Sequence, residues 1–186
     1  MENHLPSKAS MVSCLIAAFD IIAGRIKVKD AFIFSTATFW QGILASWGFG
    51  LFMALPFADF GAHFFALYAV SSLVSLLLYA LIIWHFLNWW QRADKYLDFM
   101  IPFLWLYALQ IVLFGLVTIA MYMTGMMLIQ LAVVPIAIWI LVWQFRIARG
   151  QLNLKVGAAI AVILIRFGVD MMVGTIGGLQ HTMTLG

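Results

Sequence analysis

Arg166 and Asp170 pose the sharpest chemical question in this sequence, because both fall inside an apolar stretch long enough to cross a bilayer. They stand four residues apart and share one face of a helix. A lone guanidinium at the centre of a bilayer costs ~2.5–3.5 kcal/mol, so Arg166 must turn into the protein and pair, and Asp170 is the nearest partner. Such a pair can act as an ion or proton relay, or seat a lipid headgroup. It can equally be a self-neutralised structural pair that fixes the rotation of its helix. Gln110, Gln130, Ser71 and Ser75 are further polar groups that fall in apolar stretches and can meet it.

A second polar group gathers where another apolar stretch ends. His85, Asn88 and Trp89 fall at i, i+3 and i+4, just before Arg92, and His85, Asn88 and Arg92 together predict a polar patch at the cytoplasmic face. Haem ligation by His85 requires a second axial residue at similar depth on another helix. His63 lies at the opposite end of the same stretch, and His4 and His181 are in terminal segments, so an interfacial histidine is the reading preferred and no cofactor is expected. Asp59, His63 and His181 are the residues that would have to meet for a metal on the outer face; they lack metal-ligand spacing, and none is expected. HExxH, GxSxG and GxxxxGK are all missing, as is a carboxylate pair within one layer, which points to a non-enzymatic protein.

The elements that position these residues follow from composition. Hydrophobic residues make up 66% of the 186 and charged ones 9%, too few charges to cover a water-soluble domain, so the solvent of this chain is lipid. A net charge of +3 spread as short clusters between apolar runs offers no continuous basic face, and nucleic acid is not an expected partner. Cys14 alone permits no intrachain disulfide and no CxxC metal site. The string MVSC around it imitates a lipoprotein box, but no adequate apolar region precedes it.

Hydropathy predicts an all-α transmembrane bundle: residues 1–30 as a cytoplasmic segment with an interfacial helix, then 31–186 with five spans at about 34–56, 64–89, 101–122, 127–145 and 156–178. Within residues 10–24, Met11, Leu15, Phe19 and Ile22 share one helical face opposite Ser10, Ser13 and Asp20, which predicts an amphipathic helix on the membrane surface. Pro102 is expected in the first turn of the third span, and Pro135 is expected to kink the fourth. Gly42, Ser46 and Gly50 repeat every fourth position and form a flat stripe for helix packing, within the chain or between copies; Gly174 and Gly178 form a GxxxG.

Nine of the ten basic residues fall before the first span, between the second and third, or between the fourth and fifth. The positive-inside rule puts these segments in the cytoplasm, the N-terminus with them and the C-terminus in the periplasm. Trp40, Trp89, Trp90, Trp105 and Trp143 map near the same face and predict an aromatic belt there.

A basic, short amphipathic N-terminus leading into DAFIFSTATFWQGILASWGFGLFMALPF, with four further spans and a minimal turn between the third and fourth, resembles the small bacterial membrane proteins grouped with the Yip family. The resemblance implies five spans and a cytoplasmic N-terminus, and brings no catalytic set. The DLYGP motif and the Gly-Tyr pair of the eukaryotic members are not present, so their role with small GTPases is not carried over. The first expectation for function is a non-enzymatic scaffold or accessory component of the bacterial inner membrane, whose partners are the bilayer and other membrane proteins or copies of itself. A small ion or solute carrier using Arg166 and Asp170 is the alternative, and an intramembrane enzyme or haem subunit the third.

Overall fold

Ser10 and Ser35 each place a hydroxyl where a helix begins, accepting the amides of Ser13 at 3.1 Å and Thr38 at 3.2 Å, the bond that satisfies an otherwise orphaned N–H of the first turn. The computed structural model describes residues 10–55, 62–125 and 127–183, which form helices and turns with no strand among them. In chain order these are α1 (Met11–Ile22), α2 (Val28–Ala31), α3 (Thr36–Ala54), α4 (Ala62–Trp89), α5 (Tyr96–Thr124), α6 (Val133–Leu152) and α7 (Val156–Met183). Gly125, at φ 66°, and Asn153, at φ 48°, stop α5 and α6 in the left-handed conformation that returns an amide to the last turn.

Four helices, α4 to α7, are long and apolar enough to cross a membrane. α3, with 19 residues, is of comparable length, but Gln41, two tryptophans and three glycines dilute its hydropathy below that of the four. Both prolines differ from expectation. α5 begins at Tyr96, so Pro102 lies inside the helix and removes the amide that would bond the Asp98 carbonyl. Met127–Ala132 forms a 3-10 helix and α6 begins only at Val133, so Pro135 sits in a first turn where its missing amide costs little and no kink is called for. α6 then runs through Arg146 and Arg149 to Leu152, which the sequence places in a loop.

α5 is the hub of the bundle. Every residue from Phe99 to Leu106 is buried, so at this level the helix is enclosed on all sides. α3, α6 and α1 pack on it, while α4 packs on α7 and α3, and α6 on α7. The small-residue stripe is used inside the chain: a Cβ on Gly42 would lie 3.1 Å from Leu104 Cβ, and Ser46 Oγ donates to the Leu104 carbonyl at 3.0 Å. Trp105, expected in an interfacial belt, is instead fully buried against this stripe, its indole Nε1 without a hydrogen-bond partner. The close α3–α5 approach that Gly42 permits is what encloses it.

α1 docks on α5 with a face rotated from the one expected, keeping Ile22 and Leu15 against the core but not Met11 and Phe19. Cys14, Ala18, Ile21 and Ile22 are buried, whereas Met11 and Phe19 are 41% and 44% exposed. Small Ala18 and Cys14 let the helix axes come close, and the bulkier Val12, Ile16 and Phe19 are left facing outward.

One end of the bundle gathers the basic segments. Arg92, after α4, donates to the carbonyls of Leu152 and of Asn153, the latter at 3.1 Å, at the end of α6. Lys27 and Lys29 line a cavity with Arg146, and Arg149 and Lys155 line another with the same Arg146. Packing is dense towards this end and loosens beyond Leu109: Tyr122, Met123, Leu128 and Met171 are 72–80% exposed.

Candidate functional site

Polar side chains from four helices meet where the packing begins to loosen. At 1.5 Å per residue, Ser46, Ser75, Tyr107 and Arg166 each lie about 15–21 Å along their helices from the basic end, roughly halfway along the bundle. They line one cavity of about 280 Å³, together with Gly50, Tyr68, Ser71, Ser72 and Asp170.

α4 supplies most of the hydroxyls because Tyr68, Ser71, Ser72, Ser75 and Tyr79 recur at helical spacing and share a face. Ser71 and Ser72 donate to the carbonyls of Tyr68 and Ala69 at 3.2 and 3.1 Å, the usual resting state of a hydroxyl in a helix. Ser75 instead crosses to α7 and donates to Asp170 Oδ1 at 2.5 Å. The rim is fixed by Trp47 of α3, whose Nε1 donates to the Ala69 carbonyl at 2.9 Å. Gly50 keeps its wall open: a Cβ there would stand 3.5 Å from the Tyr68 hydroxyl.

Arg166 is 6% exposed, and its Nε lies 2.9 Å from Asp170 Oδ2. That contact is an ion pair without hydrogen-bond alignment, since neither Nε nor Nη1 has a hydrogen-bond partner. The guanidinium is held from its faces instead: its Cζ stands 4.3 Å from the Tyr107 ring centroid and 5.5 Å from that of Tyr79. Two aromatic faces stabilise a desolvated cation. Tyr79, fully buried, is itself anchored by its hydroxyl on the Val162 carbonyl at 3.4 Å. The Asp170 side chain is 42% exposed and stands at the open side.

The result is a buried cation with an unused donor, a carboxylate engaged by Arg166 and Ser75, and a ring of hydroxyls that donate or accept. The volume admits several waters or one compact solute. A cation beside hydroxyls that donate or accept is chemistry suited to an anionic or strongly accepting oxygen.

The structure brings together Arg166, Asp170, Ser71 and Ser75 from the residues singled out in sequence. Gln110 is half-buried and does not line the cavity, and the side chain of Gln130 lies outside the described residues. Tyr68, Tyr79 and Tyr107 were not anticipated; the hydroxyl periodicity along α4 is the signal that finds the first two, and Tyr107 has none because α5 is apolar around its whole circumference.

The expected patch of His85, Asn88 and Arg92 is divided. His85 and Asn88 are exposed, with the His85 ring edge-on to Trp84 at 5.1 Å, but Arg92 turns to the end of α6, where helix carbonyls concentrate partial negative charge. Asp59 and the side chain of His181 lie outside the described residues, and His63 is exposed in the first turn of α4. Among the described residues no three His, Cys, Asp or Glu side chains are placed to hold a metal. Gly174 and Gly178 lie within α7, with surroundings outside the described side chains.

In comparisons with protein-family models, curated proteins and solved structures, the chain matches none.

Proposed function

We propose that this protein is a non-enzymatic, five-span carrier of the bacterial inner membrane that receives a compact anionic solute in the cavity beside Arg166. α3 is the fifth span, its modest hydropathy offset by packing on α5 and α4. The basic end faces the cytoplasm, as the positive-inside rule requires, with the N-terminus there and the C-terminus in the periplasm.

One observation carries the reading: Arg166, a buried cation whose Nε and Nη1 have no hydrogen-bond partner, lines a hydroxyl-lined cavity about halfway along the helices. A pair serving only to fix helix rotation needs no empty polar volume beside it, because protein interiors otherwise close to crystal-like density. Intramembrane ionisable groups that face a cavity mark solute and ion pathways. Of the features that motivate the scaffold reading, the stripe of Gly42 and Ser46 is taken up by α5 within the chain.

Reconstituted proteoliposomes test the proposal. Uptake of chloride, acetate, lactate or phosphate is followed with anion- and pH-sensitive dyes against empty liposomes. The expected result is protein-dependent flux of at least one of these anions that Arg166→Gln abolishes and Asp170→Asn changes. No flux, or flux indifferent to both substitutions, removes the carrier. Reporter fusions after Asp94 and after Gly125 test the orientation and are expected to read cytoplasm and periplasm.

A further inference from the structure

Of the described acidic side chains near the basic end, Asp20, Asp94 and Asp98 pair with particular cations, while Asp30, beside Lys29 on α2, is in no ion pair and lines neither of the two cavities there. Arg25 pairs with Asp20 at 3.1 Å, Lys95 pairs with Asp98 at 3.3 Å and Asp94 at 3.9 Å, and Arg92 is held by the carbonyls of Leu152 and Asn153. Among the described residues, Lys27, Lys29, Arg146, Arg149 and Lys155 have no such ion pair. These five are the ones that line the two open cavities of that end, of about 560 and 910 Å³, and neither lining contains an acidic residue.

The two cavities adjoin. Arg146 and Gly150, one turn apart on α6, line both. Gly150 leaves the saddle between them open: a Cβ placed there has nothing within 4 Å. Arg146 is set over this saddle by the Trp143 ring, 4.9 Å from its Cζ. One concavity thus presents Lys27 and Lys29, the other Arg149 and Lys155, with Arg146 shared.

We propose that this double cavity is a binding site for a phospholipid whose headgroup carries two phosphodiesters, one phosphate in each concavity and the short linker crossing Gly150. The concavities lie at the level where lipid phosphates reside if the apolar helices span the bilayer, and basic hollows between helices at that level favour multivalent lipid phosphates. A lipid with one phosphate fills only one of the two. The site is separate from the cavity at Arg166 and stands whether or not that cavity transports.

Native mass spectrometry of the full chain in detergent, titrated with cardiolipin or with phosphatidylglycerol at equal phosphate, tests this. One retained cardiolipin per chain, in preference to phosphatidylglycerol, is expected. Gly150→Met blocks the saddle without changing charge, and is expected to abolish the preference while leaving phosphatidylglycerol retention as it was. Arg146→Gln is expected to weaken cardiolipin by about fivefold, the worth of one cation near a lipid surface. Thermal melting of each variant confirms that it folds, and Gly150→Gln replaces Gly150→Met if the latter does not. Equal retention of the two lipids, survival of the preference in the saddle variant, or displacement of the lipid by millimolar inorganic phosphate overturns the proposal.

Discussion

Ser75 of α4 and Asp170 of α7, 95 residues apart in the chain, share a hydrogen bond of 2.5 Å that ties the two helices together beside the hydroxyl-lined cavity. The same carboxylate pairs with Arg166 through its other oxygen, so a single acidic side chain both neutralises the buried cation and fixes α4 against α7.

Removing that charge leaves the guanidinium uncompensated. Asp170→Asn is expected to destabilise the protein by about 2 kcal/mol, below the ~2.5–3.5 kcal/mol of a lone cation at full depth because the site is partly open. Arg166→Gln together with Asp170→Asn is expected to recover most of this, since the cost lies in the unpaired charge. Thermal unfolding of the single and double variants in detergent measures it; a double variant no more stable than Asp170→Asn would show that the two residues act independently.

Gly42 and Gly48 lie on the same helix in opposite circumstances. Gly42→Ala places a methyl 3.1 Å from Leu104 Cβ and is expected to cost about 1–3 kcal/mol through forced separation of α3 from α5. Gly48→Ala meets nothing within 4 Å and is expected to be neutral or mildly stabilising, alanine being the better helix former by about 1 kcal/mol. Melting temperatures that fail to separate the two variants would mean that the α3–α5 contact is looser than described.

Arg92 caps α6 from another segment. Its replacement by glutamine is expected to lose up to about 2 kcal/mol of interaction with the helix carbonyl end and to speed hydrogen exchange in the last turn of α6. Exchange rates unchanged in that turn would assign the cap to Asn153 alone.

Cys14 reports whether α1 stays docked. Burial pushes its thiol above the ordinary range, partly offset by a hydrogen bond with Ser13, so less reactive thiolate is present at neutral pH. A water-soluble maleimide is expected to label the native protein at least about tenfold more slowly than the SDS-unfolded chain, the factor that a local opening cost of ~1.4 kcal/mol imposes. Equal rates would mean that α1 leaves α5 and lies free on the surface.

Composition determined the helical, apolar character of the chain and its long hydrophobic helices, because hydrophobicity is a sum over residues and needs no knowledge of neighbours. The pairing of Arg166 with Asp170 was legible for a related reason: four residues along a helix is a local distance, and an intramembrane cation must find a partner. Tertiary structure decided what lies across the gaps between helices. Which face of α1 meets α5, why Trp105 is enclosed, and why Arg92 leaves His85 and Asn88 for the end of α6 depend on how closely two axes approach, and that is set by Ala18, Gly42 and Asn153 on elements distant in sequence. The cavity itself arises the same way, from hydroxyls on α4, a ring on α5 and a cation on α7 that share a depth only after the helices are packed side by side.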